Sequence, residues 1–120
     1  MIMMQSRGLN IMKTNVVHCQ EEPYDIYIGR KKDTDQHYGN PFRIGDWGCS
    51  RKESIHNFTM WITGQGFYKI EPARREWIMN NINELKDKTL GCWCKPKDCH
   101  GDVYVEILEG GLGWVLQGRL

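Results

Sequence analysis

A strand-like segment followed by a short turn and a helix-like segment limits most strongly how this chain can fold. Residues 89–94 are mainly apolar and predict a short buried strand, while residues 102–109 predict a helix. Cys99 and His100 stand in the turn between them. Open α/β sheets place their ligands at such strand-to-helix turns. The segment therefore predicts an α/β sheet with a functional site at the end of this strand.

Two further segments have strand patterns. Residues 15–19 are rich in β-branched residues, and residues 24–28 alternate polar with apolar and β-branched residues. Residues 113–117 are a candidate for a final edge strand. The polar loop at residues 31–49 is long for a compact domain, and such loops are more often functional than simple spacers.

Helix signals separate these strands. Ser50 and Glu53 have the spacing of a capping box at the start of a helix that ends before Gly64. Pro72 stands in the first turn of a second helix, whose apolar stripe extends to Leu85. Strands alternating with amphipathic helices predict a single compact, Rossmann-like layered α/β domain with a short, mainly parallel sheet.

Composition narrows the environment and the partners. The chain has 120 residues and a formal net charge of +1, so charge offers no case for nucleic acid or an anionic membrane as the main partner. Residues 1–12 are predicted to be a disordered N-terminal extension, and residues 13–120 a single domain. Five cysteines, an odd number, without a secretory-type leader predict thiols or metal ligands in a reducing cytoplasm.

The turn after the third predicted strand is the strongest candidate site. If Cys99 and His100 open the last helix, its free N–H groups lower a thiol pKa and attract anions such as phosphate. Cys99 is then a candidate nucleophile, and His100 a candidate proton or hydrogen-bond donor. Asp102 is a candidate to orient the imidazole or to bind a ribose hydroxyl. On a regular strand, Cys92 and Cys94 project to one face as further ligand-binding candidates, with Trp93 on the other.

Four residues elsewhere are candidates for the facing walls of this pocket. Arg30 directly follows a predicted strand, at the sheet edge where ligands bind. Asn40 lies in a rigid turn, where its amide could read a base or sugar edge. Ser50 and Arg51 stand at a second helix start with anion-binding geometry. Each also has a structural interpretation, because turns and caps need such residues and arginines are common surface charges.

Two other interpretations of the cysteines stay open at this point. Cys92, Cys94, Cys99 and His100 together form a Cys3His set, which is typical of structural zinc sites. In that case the chain is a zinc-stabilised protein-interaction module rather than a small-molecule site. Alternatively, the cysteines simply fill the apolar core, since free cysteine is among the most buried residue types.

Four motifs together resemble a small family of bacterial and phage proteins known only as a domain of unknown function. They are DIYIGR at residues 25–30, GNPF at residues 39–42, Ser50 and Arg51 opening a helix, and GCWCKPxxCHGD at residues 91–102. The resemblance implies a compact α/β domain, often phage-encoded, and at the level of fold it is akin to Rossmann-like nucleotide-handling proteins. No activity follows from it.

The hypothesis that best combines these observations is that the chain binds a nucleotide, nucleoside or similar phosphorylated small molecule. Whether it also processes this ligand stays open. The location is then the cytoplasm, or the host cytoplasm for a phage-encoded chain. The alternative of another class is the zinc-stabilised module, for example a phage inhibitor whose partner is a host protein. Neither hypothesis defines an acid–base pair, so no reaction is predicted.

Overall fold

The computed structural model describes residues 13–110, which form short strands, α-helices and two 3-10 turns. The strands are β1 (Asn15–His18), β2 (Ile26–Tyr27) and β3 (Thr89–Cys92); the α-helices are α1 (Arg51–Ile62), α2 (Pro72–Asn81) and α3 (His100–Leu108); the 3-10 turns are Asp46–Gly48 and Ile82–Leu85. Every helix in residues 13–110 is too short or too polar to span a bilayer. The predicted extension at residues 1–12 and the candidate strand at residues 113–117 lie outside the described residues.

The three strands form one parallel sheet with the order β1-β3-β2. Val16 and Ile26 are both in register with Leu90 of the central strand. The predicted α/β class with a short, mainly parallel sheet is therefore confirmed, whereas the Rossmann-like detail stays a prediction. Because the strands are parallel, their carboxyl ends lie at one edge of the sheet.

Helix α3 packs very closely on one face of this sheet. A Cβ atom added to Gly101 would lie 2.7 Å from Ile28 Cδ1 and 3.1 Å from both Cγ atoms of Val16. Glycine thus lets the backbone of α3 approach the strands. On the opposite face, a Cβ at Gly91 would lie 2.7 Å from the ring of Tyr24, so this ring covers the central strand.

The predicted cap of α1 is present, whereas the start of α3 and the end of α2 differ from the predicted bounds. Ser50 and Glu53 form the predicted capping box of α1. Helix α3 begins at His100 rather than at residue 102, because the Asp102 carboxylate accepts the backbone N–H of Cys99 at 3.1 Å and so caps the helix earlier. Helix α2 ends at Asn81, and its predicted last turn is the 3-10 turn that follows.

Strand β3 is shorter than the predicted strand over residues 89–94. It ends at Cys92, and the chain then turns, with the N–H of Lys97 donating to the carbonyl of Cys94 at 2.8 Å. The side-chain alternation expected for Cys92, Trp93 and Cys94 therefore does not apply beyond Cys92. The buried apolar residues of the sheet, the helices and the long loop form one cluster, which includes Ile28, Phe58 and Leu90.

Candidate functional site

A cavity of about 580 Å³ opens beside the carboxyl ends of β2 and β3. This volume lies in the usual range of small-molecule pockets, roughly 300–1,000 Å³. Its walls carry three arginines (Arg30, Arg43, Arg51), three aromatic rings (Tyr27, Phe42, Trp93), three thiols (Cys92, Cys94, Cys99) and the imidazole of His100. The sheet edge predicted to bind a ligand is thus the edge with a cavity.

All the predicted site residues line this cavity except Ser50 and Asp102. The Ser50 hydroxyl accepts the N–H of Glu53 at 3.1 Å, so it serves the cap of α1. The Asp102 carboxylate receives a hydrogen bond from Lys95 Nζ at 2.6 Å and also caps α3. The structure therefore gives both residues a part in starting a helix, beside the site rather than on its wall.

Two of the thiols are in direct contact. The Sγ atoms of Cys92 and Cys99 lie 3.5 Å apart, with the Cys99 thiol donating to Cys92. That hydrogen bond, helped by the backbone N–H groups of Lys95 and Cys94, lowers the pKa of Cys92. The same contact raises the pKa of Cys99, and burial raises it further. This contact favours the thiolate at Cys92, and the predicted nucleophilic role of Cys99 stays a prediction.

The imidazole of His100 is buried and its Nε2 atom is occupied. Nε2 lies 2.8 Å from the carbonyl oxygen of Ile28 and 3.0 Å from that of Tyr38. Carbonyl oxygens only accept hydrogen bonds, so Nε2 carries the proton and donates it to both. Burial lowers the pKa of His100 to about 4, which keeps the ring neutral near pH 7. Its capacity toward a ligand is then that of an acceptor at Nδ1, and its predicted catalytic role stays a prediction.

The arginines of the cavity are held by backbone and carboxylate oxygens. Arg30 donates to the carbonyl oxygen of Asn40, and Arg51 Nη1 donates to that of Asp98 at 3.0 Å. Arg43 Nε pairs with Asp46 Oδ2 at 3.2 Å, and both side chains are largely exposed. Burial lowers the pKa of Arg30. Because the ordinary pKa of arginine is very high, the group stays charged. These three arginines form a cationic wall of the cavity, whose lining also includes the acidic residues Asp46 and Asp98.

The side chain of Asn40 sets the shape of its own loop, and the backbone carbonyl of the same residue accepts the hydrogen bond from Arg30. Its Nδ2 donates to Ser54 Oγ at 2.9 Å, and its Oδ1 accepts the N–H of Phe42 at 2.8 Å. A Cβ at Gly39 would lie 2.6 Å from Arg30 Cγ, so the loop passes directly over this arginine. The side-chain amide of Asn40 is thus used within the fold, and its backbone carbonyl orients the guanidinium of Arg30.

Trp93 is a cavity residue that the sequence pattern placed elsewhere. Its Nε1 donates to Tyr27 Oη at 2.8 Å, its ring packs edge-on against His18, and 55% of the residue is exposed. Strand alternation had directed Trp93 away from the cysteines, but the strand ends one residue earlier. Arg43 was also missed, and Tyr27 was assigned to strand packing rather than to the cavity. The position of Tyr27 near the end of its predicted strand was the one available signal.

The Cys3His zinc set is not assembled. In the part of the chain that the structure describes, no group of three or more His, Cys, Asp or Glu side chains is arranged to hold a metal ion. The Nε2 atom of His100 is directed at two carbonyl oxygens, and only Cys92 and Cys99 bring their sulfur atoms together. The zinc alternative therefore gains no support from the geometry.

Comparison with known proteins gives a family and two viral relatives. The family model described as "Domain of unknown function (DUF4326)" matches residues 10–110. "Uncharacterized protein R718" of Acanthamoeba polyphaga mimivirus is 28% identical over an alignment of 99 residues that covers 71% of this chain and 67% of that protein. "Uncharacterized 12.4 kDa protein in nrdA-td intergenic region" of Enterobacteria phage T4 is 45% identical over 29 residues, 24% of this chain and 27% of that protein. No solved structure matches.

Proposed function

This chain belongs to the family of the domain of unknown function DUF4326, and we propose that it binds a nucleotide, nucleoside or similar phosphorylated small molecule in the cavity at the carboxyl edge of its sheet. The family agrees with the resemblance expected from the sequence motifs. One observation carries the proposal: three guanidinium groups and three aromatic rings line a single cavity of about 580 Å³ at the ends of parallel strands. Parallel α/β sheets bind ligands at this edge.

The phosphate end of the ligand fits the cationic wall. Guanidinium groups bind phosphate oxygens through paired hydrogen bonds, and Arg43 and Arg51 each have donors besides the one used within the fold. Arg51 is the first residue of α1, where the helix dipole also favours an anion. The capping box uses the N–H groups of Ser50 and Glu53, and those of Arg51 and Lys52 stand between them. Charge and backbone therefore act in the same direction at this end of the cavity.

The base or sugar end fits the aromatic wall. The ring of Trp93 is about half exposed, and its hydrogen bond to Tyr27 holds it in place. A positioned, partly exposed ring is a stacking surface for a nucleobase, and base–aromatic stacking contributes about 1–3 kcal/mol. Tyr27 and His100, which also line the cavity, add polar side chains of the kind that orient a ligand.

Titration calorimetry with nucleoside mono-, di- and triphosphates, and with inorganic phosphate, tests this proposal. At least one nucleotide should bind, and Arg51→Gln should weaken it roughly tenfold or more, since a hydrogen bond to a charged group contributes about 1.5–3 kcal/mol. Trp93→Ala should weaken the binding of nucleotides but not the binding of inorganic phosphate.

Lys52→Gln is the matched control. It removes the same charge from the neighbouring residue of α1, which does not line the cavity. Unchanged affinity is expected for this variant, with the unliganded melting temperature checked for each protein. The proposal fails if no phosphorylated compound binds, or if Arg51→Gln and Lys52→Gln have equal effects.

A further inference from the structure

Two cysteines from different elements meet at the floor of the cavity. Cys92 is the last residue of β3 and Cys99 is the N-cap of α3; both line the cavity, and only 1% and 2% of their surfaces are exposed. Cys19, Cys49 and Cys94 also lie in the described part of the chain, but none of them brings its sulfur within hydrogen-bonding distance of another cysteine there. The contact between Cys92 and Cys99 therefore sets these two apart.

The geometry of the pair suits bond formation. Their Sγ atoms are 3.5 Å apart, and a disulfide joins sulfurs at about 2.05 Å. The two sulfurs must therefore approach by about 1.5 Å for a bond to form. Both backbones are held in place: Cys92 is in register with His18 in the sheet, and the N–H of Cys99 is bonded to Asp102.

Cys92 has the surroundings of a nucleophilic thiolate. The thiol of Cys99 and the backbone N–H groups of Cys94 and Lys95 donate toward its sulfur, and the Lys95 ammonium lies nearby. These donors hold the pKa of Cys92 below that of an ordinary thiol. A thiolate is the reactive form of cysteine, both toward peroxides and toward disulfides.

We propose that Cys92 and Cys99 form an oxidisable dithiol that reduces hydrogen peroxide entering the cavity and closes to a Cys92–Cys99 disulfide. The Cys92 thiolate attacks one peroxide oxygen, the O–O bond breaks, and the other oxygen leaves as hydroxide and takes a proton from solvent to become water. Cys92 is then a sulfenic acid. Cys99 attacks the sulfur of Cys92, the S–O bond breaks, and the departing hydroxide takes the Cys99 proton. Two thiols are oxidised and one peroxide becomes two waters.

The order of these steps follows from the same contact. While Cys92 is a thiolate, its charge helps to hold the proton on Cys99 and raises the pKa of that thiol. Conversion of Cys92 to an uncharged sulfenic acid removes this charge, so Cys99 loses its proton more readily. Cys92 therefore reacts first, and Cys99 becomes the resolving thiol only after that reaction.

The test treats the reduced full-length chain, without nucleotide, with one equivalent of hydrogen peroxide and maps the products by non-reducing peptide mass spectrometry. The wild type should lose two hydrogen atoms and yield a Cys92–Cys99 cross-linked peptide. Cys99→Ser should stop at a sulfenic acid on Cys92, trapped by dimedone. Cys92→Ser should react with peroxide at least tenfold more slowly, and Cys49→Ser should behave as the wild type.

Oxidation spread evenly over the five cysteines, or a cross-link that excludes Cys92 or Cys99, would overturn the proposal. If Cys92→Ser does not fold, the peptide map of the wild type and the dimedone adduct of Cys99→Ser still decide the question. Since no nucleotide is present, the outcome is separate from that of the binding experiment.

Discussion

His100 is a buried base at the start of α3, and one proton on its ring ties the end of β2 to the loop that follows. The Nε2–H group reaches the carbonyl oxygens of Ile28 and Tyr38, and the ring packs edge-on against Phe58. A charged imidazole in these surroundings would lack water, which is why its pKa falls to about 4. The residue that the sequence marks as catalytic is therefore also a structural link between segments distant in the chain.

This burial predicts an acid-sensitive stability. The unfolded chain takes up the histidine proton near its ordinary pKa of 6.5, but the folded chain takes it up only near 4. Between these values the unfolded state binds more protons, so the free energy of unfolding falls as pH is lowered, by roughly 3 kcal/mol over the whole interval. Below about pH 4 this loss levels off.

Urea denaturation of the wild type and His100→Gln between pH 7 and pH 4.5 measures this effect. The variant should have a flatter dependence on pH, whatever its stability at pH 7. His37, whose pKa is also lowered by burial, is present in both proteins and cancels in the comparison. Parallel pH dependences for the two proteins would show that His100 is not the group responsible.

At the scale of elements, α3 is the helix on which the site depends. Its first turn brings Cys99 and His100 to the cavity, and Gly101 allows it to lie against Val16 and Ile28. The cap from Asp102 determines where this helix begins. Close packing and capping together therefore place the thiol and the imidazole at the sheet edge.

Gly101→Ala should destabilise the protein although alanine is the better helix former. The added methyl group would lie 2.7 Å from a carbon of the fully buried Ile28 and 3.1 Å from Val16, so the core must shift. Overpacking of this kind costs about 1–3 kcal/mol, against a gain of about 1 kcal/mol in helix propensity. Chemical denaturation should show a net loss near 1 kcal/mol.

Gly66→Ala is the control for this substitution. Its nearest neighbours would be two carbons of Met60 at 3.9 Å, an ordinary contact, so stability should stay the same or rise slightly. A Gly101→Ala protein as stable as Gly66→Ala would contradict the close approach of α3 to the sheet.

At the scale of the whole molecule, Arg74 joins the long loop to α2. Its buried Nη1 donates to the carbonyl oxygens of His37 at 3.1 Å and Gly39 at 2.7 Å, and its Nε pairs with Glu71 at 2.7 Å. The guanidinium also lies over the ring of Trp61, 5.3 Å from its centre. Since Asn40 belongs to the same loop, this buried arginine supports a wall of the cavity without lining it.

Arg74→Leu should lower the free energy of unfolding by about 3 kcal/mol, because two buried carbonyl oxygens lose a charged donor. It should also speed amide hydrogen exchange in residues 37–42. Arg43→Leu is the matched control: its ion pair with Asp46 is largely exposed and should contribute less than about 1 kcal/mol. Equal losses for the two variants would contradict this assignment.

Local patterns in the sequence were enough to predict the α/β class, the parallel sheet and the sheet edge that bears the cavity. The capping box of Ser50 and Glu53 is a signal that lies within a few residues, and neighbouring atoms alone satisfy it. The family motifs are equally local. The cap and the motifs are determined by the sequence because they need no partner from a distant segment.

Contacts across the fold were decided only by the tertiary structure. The ends of β2 and β3 bring Trp93 to Tyr27, which lie 66 positions apart in the chain. The same folding places Ser50 and Asp102 beside the cavity rather than on its wall, and brings the sulfurs of Cys92 and Cys99 together. Periodicity says which face a side chain takes within its own element. Which groups share a cavity, and therefore which thiol ionises, depends on how separate elements pack.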